Sequence, residues 1–323
     1  MAYLAGTFTS HVAIGNREDL SDVIYNISPT ETPFMSMIAG REKATATYHE
    51  WQTDSLAAAA ANAVVEGNDA SFSTAAATTR VGNRTQISTK TVLISGTQQA
   101  VDKAGRDSEI AYQLAKRSAE LKRDMEFILC QNTNSSAGGN TGPARVLGGI
   151  GSWYNTNTQG GTNFVAGGFS SGNTVAHTET TAAGLISFTE ARLKTAMQQA
   201  WTAGGSPDIV LLGAYAKQEA SRFGGIATLY RDANGNKQGS ILGAADVYVS
   251  DFGEVRIVPS RFSRVRDVHV LDSSMWAVSY LRPFKQEPLA KTGDGEKRQL
   301  VVEYTLVSKN EAASALIADC RSS

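Results

Sequence analysis

The chain has 323 residues, of which 41% are hydrophobic and 19% are charged, so Ala, Thr, Gly and Ser make up an unusual share. Lys and Arg number 30 against 31 Asp and Glu, which excludes a strong overall attraction to nucleic acid or to an anionic membrane. Only Cys130 and Cys320 are present, which excludes a disulfide framework and favours synthesis in a reducing cytoplasm. The length predicts two domains or one elongated, lobed body.

No targeting segment is evident at the start of the chain. Met1 to Leu4 shows no basic leader followed by an apolar stretch. The longest weakly apolar run, Leu56 to Val65, is too short to span a bilayer. We therefore expect no leader cleavage, no secretion and no membrane anchoring.

The first 43 residues form a polar segment with one amphipathic stretch. Leu20, Val23, Ile24 and Ile27 lie at helical spacing within Arg17 to Ile27. Pro29 ends this pattern, and the following residues through Pro33 and Phe34 form an extended turn, because proline disfavours the helical conformation in the residue before it. The segment is interpreted as a strap, with an ordinary N-terminal tail as the alternative.

Residues Ala44 to Thr97 show strand-like alternation at both ends and a weakly structured middle. The outgoing strand is predicted over Ala46 to Gln52 and the returning strand over Arg84 to Thr97. A hairpin this long, with few large apolar residues near its tip, buries no core of its own and requires a neighbouring molecule. An alternative places a small helix over Ser55 to Val65, because alanine favours helix, and a partner would still be needed.

The strongest helical pattern covers Asp107 to Cys130, with an apolar stripe formed by Ile110, Leu114, Leu121, Met125 and Ile128. Asn132 to Gly184 is dominated by Gly, Asn, Thr and Ser, which predicts a loop region. Its two anchors are Arg145 to Leu147 and the pair Trp153 and Tyr154. Neither a GxxxxGK[ST] sequence nor a GxGxxG sequence opening a helix occurs there, so nucleotide binding is not predicted.

The second half of the chain predicts an α/β lobe. Helical patterns over Thr189 to Thr202 and Ala214 to Phe223 flank a strand at Pro207 to Leu212. Further strands are predicted at Asp246 to Val249, Val255 to Val258, Asp267 to Leu271, Trp276 to Leu281, Pro283 to Leu289 and Gln299 to Ser308. The last two are joined by a turn at Thr292 to Gly295, and Ala315 to Ile317 forms a final apolar patch.

No catalytic constellation is found. His11, His49, His177 and His269 are scattered, without an HExxH sequence or a close Cys partner. There is no GxSxG sequence, and Cys130 at the apolar end of the long helix is interpreted as a core residue. The acidic residues cannot be paired as general acid and base from spacing alone. We therefore assign no catalytic residue, no cofactor and no metal.

Several strings, in this order and spacing, resemble the major capsid proteins of tailed phages (Caudoviricetes). They are Ile27 to Phe34, Trp51 to Leu56, Glu66 to Ala70, Asn83 to Ile87, Ala119 to Glu126 and Glu303 to Glu311. The resemblance covers most of the chain and implies the α+β Hong Kong 97-like capsid fold. It implies an N-terminal arm (1–43), an extended β-hairpin loop (44–97), a peripheral domain with a spine helix and a Gly-rich loop (98–184), an axial domain (185–281) and a C-terminal return to the peripheral domain (282–323).

The resemblance also implies a function. Pentamers and hexamers of the chain would assemble, after synthesis in the host bacterial cytoplasm, into the icosahedral head of a virion around double-stranded DNA. Implied partners are identical copies, a portal protein, scaffolding or decoration proteins, and DNA through weak non-specific contact, with no membrane. The residues expected to contact a neighbouring subunit are Pro29, Pro33, Phe34, Trp51, Asp54, Leu56, Glu66, Asp69 and Phe72.

Three alternatives remain at this point. An encapsulin-like nanocompartment would share the fold and differ in its contents. An α/β enzyme would need a pocket with convergent titratable groups. A fibre protein would show sequence repeats, and the sequence has none.

Overall fold

The computed structural model describes residues 31–38, 40–69, 72, 74–102, 107–223 and 247–322. The stretch predicted to be helical over Arg17 to Ile27 and the expected contact residue Pro29 lie outside these ranges. The helices in the described ranges are α1 (Pro33–Met37), α2 (Gly96–Ala100), α3 (Glu109–Leu129), α4 (Glu190–Thr202) and α5 (Ala214–Ala220). Short 3-10 turns lie at Ile150–Ser152, Ala182–Gly184, Ser273–Met275 and Glu311–Ala313.

The strands form two larger sheets and two small ribbons in the described residues. Residues 40–175 contribute β1 (Gly40–Lys43), β2 (Tyr48–Thr53), β3 (Thr79–Arg84), β4 (Gln86–Ser95), β5 (Thr158–Gln159), β6 (Gly168–Ser170) and β7 (Asn173–Val175). Residues 209–317 contribute β8 (Ile209–Leu212), β9 (Val247–Ser250), β10 (Gly253–Pro259), β11 (Val268–Leu271), β12 (Trp276–Pro288), β13 (Gly295–Ser308) and β14 (Ala315–Ile317).

A four-stranded sheet with the order β1-β12-β13-β4 supports the first core. Its inner face presents alternate residues of β13, including Val302, Tyr304 and Leu306, all fully buried. Strand β12 covers both stretches that were predicted as separate strands, Trp276 to Leu281 and Pro283 to Leu289. Register shifts on either side of Arg282 accommodate Pro283, which has no N–H to donate to the ladder.

The long helix α3 is confirmed as the spine of this core. Ser108 caps its start by accepting a hydrogen bond from the Ala111 N–H at 3.4 Å. Its apolar stripe packs Leu121, Met125 and Leu129 against the sheet, where they are buried. Cys130 ends the helix as a fully buried core residue, as the sequence predicted.

The predicted position of the return strand of the hairpin is wrong. Arg84 to Thr97 was expected to pair with the outgoing strand, but β4 pairs antiparallel with β13 over ten residues, from Gln86 opposite Tyr304 to Ser95 opposite Gly295. The reason is burial: Val92 and Ile94 alternate with exposed residues and are covered on the α3 side of the sheet. A partner strand in the main body buries that face, whereas a projecting hairpin cannot.

The second sheet has the order β5-β14-β11-β8-β10-β9 and forms the α/β lobe. Helix α4 was predicted over Thr189 to Thr202 and is confirmed, with Thr189 capping it through a hydrogen bond from the Arg192 N–H. Its buried residues pack with α5 and one face of β8 and β11 as a second core. All four residues of β8 and all four of β11 are buried, because the first core covers the other face of these two strands.

The C-terminal segment, residues 282–323, was expected to return to the peripheral domain, and it contributes strands to both sheets. Strands β12 and β13 do lie in the first sheet, but β14 pairs antiparallel with β11 and parallel with β5 in the second. Ala315, Leu316 and Ile317 are fully buried, because Leu316 packs in the first core on one face of β14, and Ala315 and Ile317 pack in the second core on the other face.

The Gly-rich region is anchored as predicted. Leu147, Trp153 and Tyr154 are buried in the first core, and β5 from the same region edges the second sheet. Tyr154 stacks on His269 of β11 with the ring centroids 5.7 Å apart. Burial lowers the pKa of His269 to about 4, although nearby Asp267 acts in the opposite direction.

We therefore predict that His269 contributes to acid sensitivity. Its folded pKa lies below the unfolded value, so the unfolded chain takes up the proton first and stability falls as the pH drops from 6.5 to 4. Between pH 7 and pH 5 the wild-type subunit should lose about 2 kcal/mol more than His269→Leu does. Urea unfolding of the unassembled subunit at both pH values measures this difference, and equal losses in the two proteins would contradict it.

Candidate assembly interface

A short two-stranded ribbon projects from the body at the place where the sequence predicted a hairpin. Strands β2 and β3 pair antiparallel from Tyr48 opposite Arg84 to Thr53 opposite Thr79. The return strand of the hairpin is therefore Thr79–Arg84, which is shorter than expected and lies earlier in the chain.

Beyond this ribbon, residues 54–78 form no helix or strand at any described position, and every described residue among them is exposed. The alternative of a tip helix over Ser55 to Val65 is therefore wrong. An isolated helix of this length is marginal in water even when it is rich in alanine, because few hydrogen bonds offset its nucleation. We call residues 54–78 the projecting segment.

The projecting segment exposes large apolar side chains and carries one sign of charge. Leu56 and Phe72 are 99% and 96% exposed, and Val64 and Val65 are also exposed. Its charged residues are Asp54, Glu66 and Asp69, without any Lys or Arg. Exposed apolar side chains together with negative charges are typical of a surface that binds a partner with apolar and cationic groups.

The root of the ribbon is fixed to the body by aromatic rings. The Trp51 indole N–H donates to the Ser308 carbonyl at 2.8 Å, and its ring lies 5.4 Å from that of Trp153. Trp153 in turn stacks on Phe169 at 6.3 Å. On the other strand, the Arg84 guanidinium lies over the Tyr48 ring at 4.2 Å.

Asn83 of β3 joins three parts of the chain through one buried amide. Its Nδ2 donates to the carbonyls of Leu306 and Gly148, at 2.8 and 3.1 Å. Its Oδ1 accepts from the backbone N–H groups of Gly148 and Arg84, at 2.9 and 2.8 Å. The amide thus uses all its donors and accepts twice, so it specifies one position for β3.

A buried carboxylate fixes the turn between β3 and β4. Glu303 Oε1 accepts a hydrogen bond from the Thr85 hydroxyl at 2.9 Å and also forms an ion pair with Arg145, while Oε2 accepts from the Arg282 Nε at 2.8 Å. Arg145 also donates to the Thr85 carbonyl. Because Glu303 is almost fully buried, these charge-assisted bonds hold the direction in which the ribbon leaves the sheet.

The residues expected to contact a neighbouring subunit fall into three groups. Asp54, Leu56, Glu66, Asp69 and Phe72 all lie exposed on the projecting segment. Trp51 lies at its root with a half-buried ring, and Pro33 begins α1. Phe34 is fully buried against the spine helix of its own chain, so we no longer retain it as a contact residue.

Sequence reasoning missed Asn83, Arg145 and Glu303 as positioning residues. The available signal was weak: Glu303 is a charged residue between Val302 and Tyr304 in a strand with a buried face. Nothing local shows that it lies near Arg145, which is 158 positions away.

Catalytic features are sparse in the described part of the chain. No group of His, Cys, Asp and Glu there could hold a metal ion. Both cysteines are buried, and burial raises the pKa of the Cys320 thiol to about 12. An open cavity of about 310 Å³ is lined by residues that include Ser95, Gln99, Lys291, Asp294 and Glu296. No described His lines this cavity to act as a base for Ser95, so the lining contains no nucleophile paired with a histidine. None of the described helices is both long and apolar enough for a membrane span.

The comparison with family models decides the identity. The model of the SU10 major capsid protein matches residues 5–321. The chain belongs to the SU10 major capsid protein family. A relative over nearly the whole length is the major capsid protein of Escherichia phage Phieco32, which is 29% identical over 355 residues and covers 96% of both chains.

Solved structures agree on the Hong Kong 97-like capsid fold. The capsid protein of cyanophage A-1(L) superposes with a TM-score of 0.60 at 13% identity, covering 97% of this chain and 98% of that one. The SrpI encapsulin of Synechococcus elongatus PCC 7942 gives 0.57 at 11% identity, covering 99% and 98%. Identities this low show the fold alone, whereas the family match makes the chain a phage capsid protein.

The carboxylate at the root provides a test of the geometry. Replacing Glu303 by Ala leaves Arg145 without its buried partner and should destabilise the subunit by about 3 kcal/mol. Glu296→Ala is the control, because Glu296 lies on the same strand and pairs with Arg298 at a partly exposed position. Urea unfolding of the unassembled subunits measures both, and equally small losses would contradict the positioning role of Glu303.

Proposed function

We propose that this chain builds the icosahedral head of a tailed phage from pentamers and hexamers of identical copies, around double-stranded DNA. The observation that supports the proposal most strongly is the projecting segment, whose large apolar residues are left exposed by the part of the chain that the structure describes. A rigid root at Glu303 and Asn83 would present that segment in one direction, which repeated lattice contacts require.

The exposed part of the outer face of the four-stranded sheet, between Ile87 and Leu93 of β4, is the surface we propose as the partner of the projecting segment on a second copy. The inner face packs on α3, while Ile87 and Leu93 of β4 alternate with the inward residues and are exposed. Lys297 lies opposite Leu93 in the register, and Lys285 of β12 is 71% exposed at its side chain, where it pairs with Glu287 at 2.8 Å. This face therefore offers the apolar and cationic groups that complement the projecting segment.

Each such contact would bury a modest area, and the stability of the shell would come from the number of contacts. Every copy gives one segment and receives one, so a closed shell links many weak contacts into a stable whole. The chain would act as a structural protein and not as an enzyme. Its formal net charge of −1 supports only weak, non-specific contact with the enclosed DNA.

Further partners and the location complete the proposal. A portal protein at one vertex, together with scaffolding or decoration proteins, would bind the same shell. The chain would be made in the host bacterial cytoplasm and end in the virion, without membrane contact. An encapsulin-like compartment shares the fold, and particles filled with a cargo enzyme in place of a genome would indicate it.

Deletion of the projecting segment tests the proposal. Removing residues 54–73 leaves residues 74–78 to connect Thr53 to Thr79, so the ribbon can still close. We expect a folded subunit by circular dichroism, since both cores lie elsewhere, and few or no closed particles by electron microscopy. Normal shells from the deleted chain would show that the projecting segment does not link subunits.

Point substitutions in the projecting segment test the same proposal without shortening the chain. Leu56→Ser together with Phe72→Ser should weaken each contact by about 3 kcal/mol, roughly a hundredfold in association, if both side chains become buried between copies. Val165→Ser with Val175→Ser is the matched control, because these exposed valines lie on the body. The yield of particles at a fixed protein concentration should fall only for the first pair. A similar fall for both pairs would argue against a specific role of the segment.

A further inference from the structure

Glu126 is a buried carboxylate that holds the N-terminal part of the described chain on the spine helix. The side chain is fully buried in the middle of the body. One oxygen accepts from the Phe34 N–H at 2.7 Å and the other from the Met35 N–H at 2.9 Å. These N–H groups belong to the first turn of α1 and have no partner within that helix. Residues 31–38 are thereby docked on α3, with the Phe34 ring in the first core.

No cation neutralises this carboxylate among the residues that the structure describes. Helix α1 contributes only Pro, Phe, Met and Ser side chains. On α3 the titratable neighbours are the buried Cys130 thiol, one turn further on, and Lys122 and Arg123, one turn before, neither of which forms an ion pair with Glu126 in the described structure. Asp124 is paired with Lys90 at 2.6 Å. On the sheet that packs against α3, the Tyr304 hydroxyl is hydrogen-bonded to Ser88 and not to Glu126.

The carboxylate is therefore subject to two opposing demands. Its two N–H donors favour the ionised form, because each oxygen accepts one hydrogen bond. Burial without an opposite charge favours the neutral form, because transfer of a lone carboxylate out of water costs several kcal/mol. Burial is the larger effect and raises the pKa of Glu126 to about 7, although the Met35 and Phe34 N–H groups act in the opposite direction.

We propose that Glu126 is a pH-sensitive latch, which docks residues 31–38 on the spine helix when it is protonated and weakens their docking when it is ionised. A protonated carboxyl still accepts a hydrogen bond through its carbonyl oxygen. Release of the segment would open the site to water, where the ionised form is well solvated, so ionisation favours the released state.

The size of the effect follows from linkage. With an ordinary value of 4.5 in the released state and about 7 in the docked state, docking is tightest below pH 4.5 and loosens as the pH rises to about 7. The equilibrium constant for release should therefore increase about tenfold between pH 6 and pH 8. A role for this release in exchanging the segment between copies rests on the proposed function, whereas the pH dependence itself does not.

Hydrogen exchange of the peptide that covers residues 31–38 tests the latch. Glu126→Gln removes the titration with little change of shape, and Glu120→Gln is the control, since Glu120 pairs with Arg117 at the surface of the same helix. Each variant is compared with wild type at the same pH, which cancels the intrinsic pH dependence of exchange. The ratio of release in wild type to release in E126Q should rise about tenfold from pH 6 to pH 8, and the same ratio for E120Q should stay constant.

A constant ratio of wild type to E126Q would overturn the latch. If E126Q does not fold, Glu126→Met supplies a second neutral side chain of similar length, and the same rise in the ratio is expected. The measurement uses unassembled subunits and needs no shell. Its failure would leave the proposed function intact, and failure of the chain to form shells would leave the exchange result unaffected.

Discussion

The architecture depends on one constraint, a ribbon that leaves the body in a fixed direction and carries a segment, residues 54–78, that is exposed at every described position. Glu303, flanked by Arg145 and Arg282, and the fully bonded amide of Asn83 hold the root of that ribbon. Both groups are buried, so moving the ribbon would strand charges or amide groups without partners. Because the root is held rigidly and the projecting segment is exposed, the subunit is suited to binding other copies of itself.

The two cores explain how such a subunit stays folded without the ribbon. The first core lies between α3 and the inner face of the four-stranded sheet, and the second lies between α4, α5 and the other sheet. Strands β8 and β11 face both cores, so the two lobes share a buried layer. The fold therefore does not need the projecting segment for its own stability, which leaves that segment available for contacts between copies.

Elements with local signals could be predicted from the sequence. Helices α3 and α4 each have a capping residue, Ser108 or Thr189, followed by regular apolar spacing, and both were predicted close to their observed bounds. The exposed tip could also be predicted, because residues 54–78 contain too few large apolar side chains to form a core.

Features set by distant partners could not be predicted. The alternation in Arg84 to Thr97 suits any antiparallel neighbour, and only burial under α3 selects β13 over β2. Burial of Phe34 depends on Glu126, 92 positions away, and β14 enters the second sheet because its two neighbours come from other parts of the chain. Local patterns do not encode these pairings.

The position of the projecting segment in an assembled particle tests the central claim most directly. Cryo-electron microscopy of particles formed by the purified chain would show residues 54–78 at the resolution of side chains. The account predicts that Leu56 and Phe72 lie against a neighbouring copy, on the outer face of its four-stranded sheet. A map in which these residues fold back onto their own subunit, or a preparation that remains monomeric at high concentration, would contradict it.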